Sequence, residues 1–388
     1  MSDRRLCVAF TAGAMYDRLY TSLARFEQIS GVQVEVGFRG PHSELNAHLA
    51  SLKELPYHLV STHTKYAPSQ LSFLAPLDGV AELLELDQFY APLVELARVE
   101  GRLVGIPRNV DVKLLHYRTD LIGQAPETWD ELADTARSLS SAPDRHGFVF
   151  TGTNSGLFGM FYELAEMAGA SLFPASNVPV LNNEGGWWAL ELIAGLYRSG
   201  AVPCEVIDWH FEEAHRCFLN GHAAMLCDWP GYFGEYRDAT SSKVSGRFAL
   251  ARMPSTRNGV HKAYSGCHTF ALTRRGLERS DAVELLRFLT APEQQLIAAR
   301  HGSVPTRPVV LHQVLSEADE FEAERWKLLN VVIASDMLIP PRLSYYPEVE
   351  DIIWRSVRAA MAGEKTIDTL LAMERRISEC HRKNTERK

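Results

Sequence analysis

The chain has 388 residues, 46% of them hydrophobic and 23% charged, and its 40 Lys and Arg against 48 Asp and Glu give a formal net charge of −8. That balance excludes collagen-like, disordered and disulfide-framework classes. The length calls for two or three domains, and the acidic excess argues against a dedicated nucleic-acid binder. No stretch approaches the ~18 uncharged apolar residues of a membrane-crossing helix.

MSDRRLCVAF starts basic, but neither the apolar run nor the small-residue cleavage site of a secretory leader follows. Either the chain is cytoplasmic or its leader is absent from this sequence. LCVAF (6–10) predicts a strand, and Leu19, Leu23, Phe26 and Ile29 predict a helix over 14–29 stopped by Gly31. VQVEVGF (32–38) alternates as a second strand, a helix follows near 41–53, and YHLVST (57–62) reads as a third, buried strand. A βαβαβ order implies an α/β fold with a parallel, doubly wound sheet, whose ligands sit outside the carboxyl ends of the strands.

Past residue 100, strand-like runs at 102–106 and 111–117 are joined across Pro107, Arg108 and Asn109. A helix over 127–141 has Thr128 as its N-cap, with Glu131 three residues on. Further strands are expected at 147–152 and 223–229, with helices near 156–168, 184–199 and 210–221. FALARMP (248–254) and CHTFALT (267–273) flank a turn, and the remainder reads as helices at 280–290, 292–301, 308–316, 320–335, 347–362 and 366–382.

Enzyme motifs are missing: there is no GxGxxG after a strand, no GxxxxGK[ST], no HExxH and no GxSxG. His210 and His215 stand too far apart to share a helical face, and the other histidines scatter without ligand spacing, so no metal and no cofactor is expected. Cys7, Cys204, Cys217, Cys227, Cys267 and Cys380 form no CxxC pair and read as buried free thiols, a Cys227–Cys267 bridge being the alternative.

What recurs is a polar or aromatic cluster beside a predicted strand end. Tyr16 follows the first strand, His63 and Lys65 the third, Asn154 the strand at 147–152, and Asp228 and Trp229 the strand at 223–229. Asn109 and Asp111 lie where the 102–106 and 111–117 runs join, and Ser265, Gly266 and His268 stand at the entry to the last strand. Rings that cover C–H patches, beside planar polar groups that bond hydroxyls in pairs, suit a polyhydroxylated ligand. Any one of these residues taken alone reads equally well as a helix cap or a core side chain.

The chain resembles the maltose-binding-protein-like family of bacterial extracellular solute-binding proteins (family 1), the receptors of ABC importers. FEQISGVQVEV resembles the family's F-E-x-x-x-G-I-x-V entry, and YHLVSTHTKYAPSQLSFLAPLDGV its D-V-v-x…G-x-L-x-P-L-D segment, with His58 replacing the usual Asp. GRLVGIPRNVDVKLLHYRTDL is followed by the expected P-x-T-W-D-E-L over 126–132. FLNGHAAMLCDWPGY, ARMPSTRNGVHKAYSGCHTFAL and LLRFLTAPEQQLIAARHGSVPTR continue the match in order, with Cys267 where a second Gly is usual.

The resemblance implies a two-lobe periplasmic binding protein fold of type II, each lobe a doubly wound sheet, with a hinge and a ligand cleft. The lobes would hold 1–108 with 267–308, and 109–266 with 309–388. It picks Trp229 as stacking platform, Gly266 with Ser265 and His268 as backbone and edge contacts, and Arg307 as donor; Arg342 and Tyr345, after paired prolines, would add contacts from the second lobe. The strand-end reading adds Tyr16, His63, Lys65, Asn109, Asp111, Asn154 and Asp228. Implied with the fold are a carbohydrate-class solute, a partner permease, a periplasmic location, a monomer and no catalysis. Weighed against it are an enzyme on the same fold and a leaderless cytoplasmic sensor. Lys65 and Arg307 would also serve an anionic group.

Overall fold

The computed structural model describes residues 4–13, 16–174 and 178–386. It divides into two units, one of residues 1–111, 266–323 and 342–344, the other of 112–265, 324–341 and 345–388. The sequence reading put 309–323 in the second lobe. The helix Pro308–Glu317 instead packs against the helix Pro292–Ala299 of the first unit.

In unit 1 the strands Arg5–Thr11, Gln33–Gly40 and Leu59–His63 are parallel, with the first strand in the middle. The strand Ala263–Leu272 runs antiparallel beside Leu59–His63, and Ile106–Val112 pairs with its other side. The alternation of the first strand explains the two layers. Leu6, Val8 and Phe10 enter one core with Phe26, Phe270 and Leu286, while Ala9 enters a second with Leu45, Tyr57 and Val60. The first helix begins at Arg18 rather than 14, and residues 14 and 15 lie outside the described ones; it ends on Gly31 in the left-handed region at φ 66°.

One expectation fails locally. Pro107, Arg108 and Asn109 do not join two strands; they lie inside Ile106–Val112. Pro107 is tolerated because it stands second in that strand, where a missing N–H removes little of the ladder. The segments at 248–254 and 267–273 do flank a turn, at 256–260, but they do not pair with each other. Phe248–Ala251 pairs with Leu114–Arg118, and Ala263–Leu272 pairs in the other sheet.

Unit 2 carries a four-stranded sheet in the order Phe248–Ala251, Leu114–Arg118, Ala223–Asp228 and His146–Val149. Helices Asn154–Met167, Glu184–Arg198, Tyr346–Met361 and Thr366–Thr385 pack on one another beside it. Thr128 caps the helix Trp129–Leu139 as expected, its hydroxyl accepting the Glu131 N–H at 3.2 Å. Among the described residues no helix is long and apolar enough to cross a membrane.

Candidate functional site

In unit 1 the polar cluster follows from strand order. The antiparallel register sets His63 directly opposite His268, and the neighbouring strand Ile106–Val112 brings Asn109 and Asp111 to the same edge. His268 Nε2 lies 2.6 Å from Asp111 Oδ2 and 2.8 Å from the Tyr16 hydroxyl. Asn109 donates to Asp111 Oδ1 at 2.7 Å, and His63 Nε2 stands 3.8 Å from Asp111 Oδ2. His42, the first residue of the helix His42–Ser51, completes a three-ring set: it stacks on His268 at 4.9 Å and stands 6.0 Å from His63.

Burial holds the imidazoles of His42 and His63 well below the usual histidine range, with the His268 and Lys65 charges adding to the effect. The rings are therefore neutral, each with a lone pair on one nitrogen. Gly266 makes room for them, since a Cβ there would stand 2.2 Å from the His63 ring. Lys65 Nζ lies 4.6 Å from the Tyr66 ring centroid, and the Arg108 guanidinium 4.8 Å from that of Tyr16. His42 Nδ1, Thr64 Oγ1 and Arg108 Nη1 are buried polar atoms with no hydrogen-bond partner among the described residues, a concentration that points to a polar ligand.

Unit 2 presents a second cluster at one end of its own sheet. Asp228 ends the strand Ala223–Asp228 opposite Leu114, so Trp229 and Lys113 share an edge. Trp229 packs edge-to-face on Phe211 at 5.9 Å and at 6.0 Å on Tyr264. With Lys113, Thr151 and Cys227 it lines a small cavity. Beneath the rings Lys113 Nζ donates to Glu163 Oε1 at 2.8 Å, and Glu163 Oε2 accepts the Tyr264 N–H at 2.9 Å. Burial pushes the Glu163 carboxyl up, and Lys113 offsets this only in part.

Asp228 is occupied internally: Oδ1 accepts the Trp229 N–H at 2.8 Å and Oδ2 the Tyr236 hydroxyl, with His215 Nδ1 at 3.6 Å. It fixes the loop that carries Trp229. Asn154 stands half-buried at the start of its helix with φ 50°, and Ser265 donates to its neighbour's carbonyl, Ala263 O, at 2.7 Å.

Three expected contacts are not brought to either cluster. Arg307 is almost fully buried, bonding Thr290 O at 3.0 Å and Gln88 Oε1 at 2.8 Å over the Phe89 ring. Arg342 donates to the carbonyls of Glu95 and Arg98, and Tyr345 pairs with His381 Nδ1 at 2.5 Å. Each has buried or local acceptors that hold it more firmly than a strand-end position would. All six cysteines are free thiols; Cys204 is exposed rather than buried.

Sequence reading missed His42, Arg108, Lys113 and Glu163. His42 follows a strand and opens a helix at once, while its partners lie within strands. Glu163 is the one charged residue in the buried run Gly156–Ala165, and a lone charge there is a legible sign of a buried partner.

A family model described as bacterial extracellular solute-binding protein matches residues 24–323. The chain belongs to that family. This solute-binding protein is 29% identical over 223 residues to a probable ABC transporter-binding protein of Deinococcus radiodurans, covering 54% of this chain and 53% of that one. It spans about half the length of the curated relatives it matches. Its fold is that of the maltose-binding-protein-like receptors. The maltose-bound MalE3 of T. maritima superposes with TM-score 0.87 at 27% identity, covering 96% of this chain and 99% of that one. The tagatose-bound protein of Thermotoga lettingae gives 0.84 at 17% identity, covering 97% and 99%. The ribitol complex of Agrobacterium radiobacter gives 0.82 at 20% identity, covering 97% and 98%.

Proposed function

We propose that this protein is the non-catalytic receptor of an ABC importer. It captures a carbohydrate-type solute (a sugar, oligosaccharide or polyol) outside the cytoplasm by hinge closure and hands it to a membrane permease. The observation that carries the reading is the pair of polar–aromatic sheet edges. Tyr16, His63, Lys65, Asn109, Asp111, Gly266 and His268 gather in unit 1, and Trp229 packs on Tyr264 in unit 2, where Asn154 opens a helix. Imidazoles, an amide and a carboxylate offer donors beside acceptors, as hydroxyl recognition requires, and the indole supplies a face for C–H groups. Family membership and the sugars and polyol held by structural relatives support the same class.

The test is thermal unfolding against neutral sugars, polyols, sugar acids and glycerol phosphodiesters, followed by calorimetry on the hit. A solute at 1,000 times its dissociation constant adds about 4 kcal/mol of stability. It should be recovered unchanged and bind at least tenfold more weakly to Asn109→Ala. A solute consumed during incubation makes the protein an enzyme, and a panel with no stabilising member overturns the carbohydrate class.

A further inference from the structure

We infer that His63, His268 and Asp111 form a binding site for a zinc-class divalent transition metal in unit 1. Their ligand atoms, two imidazole nitrogens and one carboxylate oxygen, lie within 4.8 Å of one another, and all three residues are buried. Two nitrogens and one oxygen are the donor set that zinc, cobalt and nickel prefer, and three protein ligands leave a fourth position open. Bonds of ~2.0–2.2 Å to the metal put tetrahedral ligands roughly 3.3 Å apart. The 2.6 Å contact between His268 Nε2 and Asp111 Oδ2 would have to open by less than 1 Å, and the 3.8 Å contact from His63 Nε2 close by about half that.

The supports around two of the three ligands have the arrangement that orients metal-binding groups. Asn109 donates to Asp111 Oδ1 at 2.7 Å, which presents Oδ2 to the histidines. His42 Nε2 stands 3.2 Å from His268 Nδ1, so the Nε2 of His268 faces the cluster. Gly266 leaves the His63 ring the space it occupies.

Metal uptake has definite costs, the first being that a metal on His268 Nε2 displaces the Tyr16 hydroxyl that lies 2.8 Å from it. The Lys65 N–H donates to His63 Nδ1 at 3.2 Å, which leaves the His63 proton on Nε2. Binding moves that proton to Nδ1 and gives up the Lys65 bond. With a metal on its Nε2, His268 carries its proton on Nδ1, which faces His42 Nε2 at 3.2 Å. No redox partner is required. The open position suits an oxygen of the solute; that coupling, unlike the site itself, rests on the receptor reading.

The experiment uses the full chain stripped with chelator and titrated with Co2+ and Zn2+. Expected are one equivalent bound, a visible Co2+ spectrum of low-coordinate type, and affinity at least tenfold lower in Asp111→Asn and His268→Ala. The exposed His222→Ala should be unchanged. No binding, or a stoichiometry indifferent to Asp111→Asn and His268→Ala, overturns the site in favour of surface histidines. If His268→Ala fails to fold, Asp111→Asn and the spectrum of the unaltered chain decide. Repeating the solute panel with and without Zn2+ separates the two readings. A solute whose affinity changes with Zn2+ supports the coupling, and one indifferent to it overturns the coupling alone. One equivalent of zinc with no stabilising solute overturns only the receptor reading.

Discussion

His215 lies buried between two carboxylates, Nδ1 3.6 Å from Asp228 and Nε2 3.0 Å from Glu235, with the Tyr236 hydroxyl 2.7 Å from the same Nδ1. Burial opposes its charge, yet bonds to and the charges of the two carboxylates win and raise it to about 9. A folded-state value above the unfolded ~6.5 means the contribution is whole below pH ~6.5 and lost as pH rises through about 9. At about 1.4 kcal/mol per pH unit it is on the order of 3 kcal/mol. Denaturant unfolding from pH 6 to 10 should therefore show a loss that His215→Gln flattens; equal slopes in both proteins would remove the account. Trp229 is only 8% exposed, so Trp229→Ala should lower stability by about 3–5 kcal/mol in the same assay. Trp229→Phe should keep most of the stability and lose solute affinity. Gly266→Ala drives a Cβ into the His63 ring and should cost about 1–3 kcal/mol as overpacking, together with solute affinity.

At the scale of elements, the sequence located strands and helices well because their periodicities are local. The cap at Thr128 is one case, and Thr128→Ala should cost about 1 kcal/mol, read as a shift in the unfolding midpoint at constant slope. Strand-end polarity was legible for the same reason: a side chain past the last ladder bond is free to be polar. The pairing of His63 with His268 was not legible. It depends on an antiparallel register between strands about 200 residues apart in two separate stretches of unit 1, and no local pattern encodes that. Arg307 failed for the converse reason. A motif position names a residue but not its neighbours, and the aromatic face of Phe89 with two oxygen acceptors is reached only on folding. Gly159 belongs with these cases: its missing side chain admits the Tyr264 ring, which a Cβ would meet at 2.1 Å.

For the whole molecule, discontinuity is the governing fact, since each unit is built from three separate stretches of chain. The strand Ala263–Leu272 lies between Leu59–His63 and Ile106–Val112, and Phe270 and Leu272 enter the core on one face. A fragment of residues 1–111 therefore lacks a central strand and should show no cooperative thermal transition by circular dichroism. A cooperative transition would mean that the first three strands suffice.

The sequence by itself determined the order of strands and helices, the polar ends of the strands and, through motifs in series, the family. Each of these is written in contiguous residues, where periodicity and turn chemistry act. Only the tertiary structure decided which polar groups meet. Lys113 finds Glu163 across 50 residues, Asp228 is drawn into the network beneath Trp229, and His63 and His268 converge on Asp111 with His42 stacked behind. Burial made those choices, because a charge or lone pair removed from water must be met by whichever partner strand order places beside it.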